Sequence, residues 1–118
     1  IGFLKSIDRL IAWRNENAKG KPVWLTEFGW DASTRPKATT GDAAKWEGNV
    51  SDEQQAQYLV RSLLVLSGMD VQRAYVYFFN DSNEPSFHAA SGITRDFEPK
   101  LALELLVKER ISHMNGGP

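Results

Sequence analysis

The sequence predicts an α/β fold in which parallel strands alternate with helices. Three observations carry this reading. Helical periodicity appears in three segments. Two short runs dense in β-branched and aromatic residues fall between them. A long polar loop follows each of those runs. Strands that alternate with helices pair in parallel through right-handed crossovers. The predicted order is helix, strand, long loop, helix, strand, long loop, helix.

The first helix is expected over residues 1–18. Leu4, Ile7 and Ile11, with Leu10 and Trp13, recur at spacings of three and four, and Lys5, Asp8, Arg9 and Arg14 take the other face. Gly20 is placed for a C-terminal cap and Pro22 lies just beyond it. The run PVWLTEF (22–28) reads as a strand buried on both faces, and Gly29 permits a sharp exit from it. Residues 30–50 show no sustained period and read as a loop, of a length that is usually functional. Ser51-Asp52-Glu53-Gln54 fits a capping box. The helix it opens carries Ala56, Leu59, Val60, Leu63, Leu64 and Leu66 as its apolar stripe and ends at Ser67-Gly68. RAYVYFF (73–79) is the second strand, and residues 80–96 are the second long loop. Pro99 suits the first turn of a last helix. Leu101, Ala102, Leu105, Leu106 and Ile111 give that helix its apolar face, with Glu98 near its start and Lys108 and Arg110 near its end.

Composition narrows the function. The chain has 118 residues, with 14 Lys plus Arg against 15 Asp plus Glu, a formal net charge of −1. That balance lacks the basic footprint of a nucleic-acid binder. No apolar run approaches the roughly 20 residues that span a bilayer. With no cysteine there is neither a disulfide framework nor a thiolate metal site. Asp31, Asp42 and Glu47 share a loop without a calcium-ligand pattern and read as solvated charge. His88, in a loop, and His113, near the end of the last helix, receive no function. No cofactor is expected, because no phosphate loop, zinc spacing or Ser-His-Asp arrangement is present. The chain opens at Ile1, inside a helix, which is read as a fragment of something longer. Two strands are too few for a stable parallel sheet, so the remainder of the protein or a second copy is expected to supply neighbours.

Both long loops leave the C-terminal ends of strands, the end at which α/β folds bind ligands. Alternation puts Val23, Leu25 and Glu27 on one face of the first strand and Trp24, Thr26 and Phe28 on the other. Glu27 is then a carboxylate at the end of an apolar strand, beside Gly29 and Trp30. Residue type alone leaves two readings open. One is a structural Glu paired with an Arg or a backbone group, and the other is a catalytic carboxylate. In the second strand Tyr75, Tyr77 and Phe79 share a face opposite Ala74, Val76 and Phe78. Trp30, Trp46, Tyr77 and Phe79 near one carboxylate suit a sugar site, as they also suit an ordinary aromatic core.

At this point the residues carry a resemblance. KPVWLTEFGW (21–30) resembles strand seven of the clan A glycoside hydrolases. AYVYFFND (74–81) is similar to their strand eight, and SGITRDFEPKLAL (91–103) to their closing turn and last helix. The resemblance covers nearly the whole chain in the right order. It implies a partial TIM (β/α)8 barrel, helix six to helix eight with parallel strands seven and eight. Residues 1–118 would be the C-terminal fragment of a catalytic barrel. It further implies a retaining hydrolase of β-linked poly- or oligosaccharides, with Glu27 as nucleophile. Trp30, Tyr77 and Phe79 would bind substrate, with Trp46 and Asn80 at the rim. A secreted or periplasmic protein is favoured by the same resemblance.

Two departures stand out. Family members often have Trp at the strand-eight floor, where the matching residue here is Tyr77. The family's acid/base, a Glu after Asn at the end of strand four, would lie upstream of residue 1. Asn83-Glu84-Pro85 imitates that motif but follows the nucleophile, and Glu84 is read as a loop residue. The chain alone therefore lacks an acid/base and is expected to be inactive. The alternative from another class is a non-catalytic carbohydrate-binding or structural α/β segment. Expected partners are the carbohydrate and either the missing part of the barrel or a second copy, with no nucleic acid and no membrane.

Overall fold

The computed structural model describes residues 2–32, 50–82 and 89–114, with side chains as far as Lys108 in the last helix. Trp46, Asp42, Glu47, Glu84 and His88, and the side chain of His113, lie outside the described residues.

Helix α1 runs Gly2–Asn17. Its end follows the expected signals: the N–H of Ala18 donates to Arg14 O at 2.8 Å, and Gly20 takes φ 81°. The face it buries is narrower than the periodicity suggests. Ile7 is buried and Ile11 packs beside it, whereas Leu10 and Trp13 are 48% and 58% exposed. Arg14, expected on the polar face, is buried. Its guanidinium pairs with Asp70 and donates to the carbonyl of Lys21, which supplies the charge and acceptors that burial requires.

Strands β1 (Trp24–Phe28) and β2 (Arg73–Val76) form a parallel two-stranded sheet. Trp24 pairs with Arg73 and Leu25 with Ala74, but the next partners are Phe28 and Val76. Three residue steps on β1 therefore oppose two on β2, an irregularity of the bulge type. The extra residue resets the alternation. Leu25 and Phe28 both pack on the core with Ala74 and Val76, while Thr26 and Glu27 are exposed. The expected Leu25/Glu27 face is corrected in this way.

Helix α2 (Asp52–Ser67) opens with the anticipated capping box. Gln54 N donates to Ser51 Oγ at 3.1 Å, and Ser51 N donates to Gln54 Oε1 at 2.9 Å. Ala56, Leu59 and Leu66 are buried, but Leu64 of the expected stripe is 67% exposed. The second loop holds structure that its polar composition conceals. A hairpin of β3 (Thr94–Arg95) and β4 (Glu98–Pro99) lies beside the end of β2, joined to it by a parallel bridge from Asn80 to Thr94. Pro99 and Glu98 thus belong to β4, and helix α3 spans Leu101–Met114.

The core consists of Ile7, Phe28, Ala56, Leu59, Leu66 and Ala102, with Leu25, Val76, Ile93 and Leu105 around it. It lies on one side of the sheet. On the other, Trp24, Tyr75 and Tyr77 are 50%, 45% and 38% exposed. Among the described residues the expected strand buried on both faces is therefore not met, because the helices cover only one face. The exposed stem and ring surfaces on Trp24 and Arg73 cover each other, with the guanidinium 5.0 Å from the indole centre.

Candidate functional site

A cleft of about 400 Å³ opens at the C-terminal end of β1. Phe3, Glu27, Phe28, Gly29, Trp30, Tyr77 and Ser91 line it. Two backbones meet closely there. Tyr77 N donates to Phe28 O at 2.8 Å, and a Cβ on Gly29 would collide with the carbonyl oxygen of Tyr77. Only glycine lets the chain turn out of β1 while holding Tyr77 beside it.

Glu27 is exposed, and no group among the described residues hydrogen-bonds or ion-pairs its carboxylate. Among the described residues the structural reading, a Glu held by an Arg or a backbone donor, lacks the donor. Aromatic rings build the wall beside it. Phe3 stacks on Phe28 at 6.3 Å, Trp30 meets Phe28 edge-on at 6.2 Å, and Tyr58 tilts against Trp30 at 5.5 Å. Trp30 is fixed through its backbone as well, since its carbonyl accepts from Gln55 Nε2 at 2.7 Å. Ser91 Oγ donates to Asp31 Oδ1, so Asp31 is engaged and not free solvated charge.

Of the residues predicted for the site, Glu27, Trp30 and Tyr77 share the cleft. Phe79 is 63% exposed but does not line it. Asn80 serves as an anchor: its Oδ1 accepts from Thr94 Oγ1 at 2.9 Å and from Phe97 N at 2.8 Å. Phe3 and Ser91 were not anticipated. Neither carries a local signal, because each reaches the cleft through tertiary packing.

Behind the cleft stands a charge cluster that the sequence reading missed. Arg95 places two nitrogens on Asp52 at 2.9 Å, donates to Asp81 at 3.0 Å and reaches the carbonyl of Ala32 at 2.7 Å. Lys100, buried, donates to Asp81 at 3.3 Å and to Ala90 O at 3.2 Å. This cluster ties the loop after β1, the start of α2 and the loop after β2 into one unit. The Arg95 fork holds the Asp52 carboxyl below its ordinary range, against an opposing push from burial. Burial pushes the Lys100 ammonium down, against the pull of Asp81. Gly92 seals the arrangement, since a Cβ there would lie 2.5 Å from Asp81 N and 2.7 Å from Asn80 C. Among the described residues no group of His, Cys, Asp and Glu is placed to hold a metal, and no helix is long and apolar enough to cross a membrane.

No family model and no curated protein matches the chain. Solved structures do. A β-glucuronidase of Faecalibacterium prausnitzii aligns with a TM-score of 0.62 and 22% identity over 92% of this chain. A β-D-glucuronidase of Dictyoglomus thermophilum aligns with a TM-score of 0.61 and 27% identity over 90%. The chain covers 18% of the length of each. It therefore has a mixed α/β fold that matches a fragment of glycoside-hydrolase structures.

Proposed function

We propose that the chain is the C-terminal segment of a (β/α)8 barrel in a retaining glycoside hydrolase, with Glu27 as nucleophile. The observation that carries this is the Glu27 carboxylate at the C-terminal end of a parallel strand, without a partner among the described residues, in a cleft lined by Trp30 and Tyr77. In such a reaction the carboxylate attacks the anomeric carbon while a second carboxyl, about 5–5.5 Å away, protonates the leaving oxygen. Water then cleaves the glycosyl-enzyme ester, and the second group, now a carboxylate, takes the water's proton. Glu27 is the only carboxylate among the described residues lining the cleft, and this reading assigns the acid to another part of the barrel. The exposed faces of β1, β2 and α1 suit the rest of a barrel, or a second copy, as their cover. The two named neighbours make β-glucuronides the first substrates to try, among other β-linked glycans.

The single carboxylate also favours a second reading, in which the cleft binds sugar without cleaving it. One experiment separates the two. The full-length protein is assayed against a panel of β-glycosides, with NMR reading the first anomer released. Retention with the wild type is expected, together with a loss of several orders of magnitude in Glu27→Gln. Azide should partly rescue Glu27→Ala and give a glycosyl azide of inverted configuration. Inverted product, or near wild-type turnover in Glu27→Gln, overturns the assignment. Sugar binding without hydrolysis leaves the second reading.

A further inference from the structure

The β3–β4 hairpin turns through Asp96 and Phe97, whose φ angles are 52° and 63°. A two-residue hairpin turn with both central residues at positive φ favours Asn-Gly or Asp-Gly. Asp tolerates that conformation, but a bulky aromatic there is an outlier. The ring gains nothing visible from being there. Phe97 is 76% exposed, outside the core cluster, and meets no other ring among the described residues. The backbone is nevertheless held firmly, because Phe97 N donates to Asn80 Oδ1 at 2.8 Å and Asn80 is itself fixed by Thr94. A strained, exposed, anchored side chain points to function, since strain persists where the surroundings over-determine it.

Its place in the fold says which function. The Asn80–Thr94 bridge sets the hairpin at the C-terminal end of β2, the same end as Glu27 on β1. Asn80 follows Tyr77, a cleft residue, by three positions, along a chain that bends at Tyr77 and Phe79. Phe79, also exposed, lies between them. A ring at that end of the sheet but outside the cleft lining is placed for a neighbouring sugar of the same glycan and not for the one seated at Glu27. The C–H face of a pyranose stacks on the electron-rich face of an aromatic ring. We infer that Phe97 is a sugar-stacking platform for an outlying unit of an oligosaccharide, presented by the strained turn. This rests on the glycosidase reading of the cleft.

The test uses the full-length protein and a β-linked oligosaccharide series of increasing length, with Phe97→Ala, Phe97→Trp and Phe97→Gly. Phe97→Ala should lower kcat/KM on the longer members about threefold to tenfold and leave the shortest hydrolysed member unchanged. Phe97→Trp should keep wild-type behaviour. Phe97→Gly should lose the same length dependence while raising Tm by about 2 °C, because glycine relieves the turn. Equal loss on short and long substrates, no loss on either, or an effect confined to self-association overturns this inference while hydrolysis itself stands. A wild-type protein that neither binds nor cleaves any member of the series overturns the glycosidase reading and this inference together.

Discussion

The charge cluster behind the cleft makes a graded stability prediction. Two cations, Arg95 and Lys100, face two carboxylates, Asp52 and Asp81, so the cluster is neutral as a whole. Asp81→Asn and Asp52→Asn each leave it at +1 with little change of volume. The burial of what is stranded differs. The Asp81 side chain is 9% exposed and its Lys100 partner 3%, whereas Asp52 is 35% exposed. Removing one partner of a fully buried pair costs about 3–5 kcal/mol. Lys100 keeps Asp52 at 3.8 Å and the Ala90 carbonyl, so the loss in Asp81→Asn falls to about 3 kcal/mol. In Asp52→Asn, Arg95 keeps Asp81 and the Ala32 carbonyl, and solvent reaches the site. About 1 kcal/mol is expected there. Urea unfolding followed by circular dichroism measures both. If Asp52→Asn costs as much as Asp81→Asn, or Asp81→Asn costs under about 1 kcal/mol, then burial does not set the value of these charges and the reasoning is refuted.

Further outcomes follow from the same geometry. Asp52 is held below its ordinary 3.8, so the folded state binds this proton less tightly than the unfolded state; its stabilisation is present above 3.8 and is lost as pH falls from there through the folded value, and Asp52→Asn should flatten that part of the stability–pH curve. Lys100 is held below its ordinary 10.5, so the unfolded state carries more protons in the window between its folded value and 10.5; stability should rise with pH across that window, and Lys100→Met should abolish the rise in denaturation curves. Gly92→Ala should destabilise by about 1–3 kcal/mol in urea unfolding, because backbone and not a flexible side chain occupies the space its Cβ needs. Glu27→Gln should leave Tm within about 1 °C of wild type, since an exposed, unpartnered carboxylate contributes little to the fold.

Much of the architecture was legible because it rests on local signals. The capping box at Ser51, the cap at Gly20 and the parity of Ala74 and Val76 against Tyr75 and Tyr77 all emerge as the residues dictate. What escaped is what depends on partners far away in sequence. Arg14 looked solvated because its partner Asp70 lies 56 residues on. The hairpin at 94–99 looked like loop because its strands are two residues each and its turn lacks glycine. Alternation along β1 failed at the irregularity between Leu25 and Phe28, which no periodicity in five residues can announce. Of the cleft lining, Glu27, Trp30 and Tyr77 were legible from their strand ends, while Phe3 and Ser91 arrive there only through packing.

That irregularity decides which way Glu27 faces. Strict alternation from Leu25 would turn Glu27 toward the helices, where a carboxylate without a donor is costly. The extra residue sends Phe28 into the core instead and leaves Glu27 in the cleft. Three further carboxylates near the C-terminal ends of the strands are engaged: Asp31 by Ser91, Asp52 by Arg95, and Asp81 by Arg95 and Lys100. Those contacts join the loops, and Gly29 and Gly92 let the backbones approach closely there. Glu27 alone of this set has no partner among the described residues. Under the proposed glycosidase reading, that leaves Glu27 available to a sugar beside Trp30 and Tyr77, while the paired acids hold together the loops around the cleft.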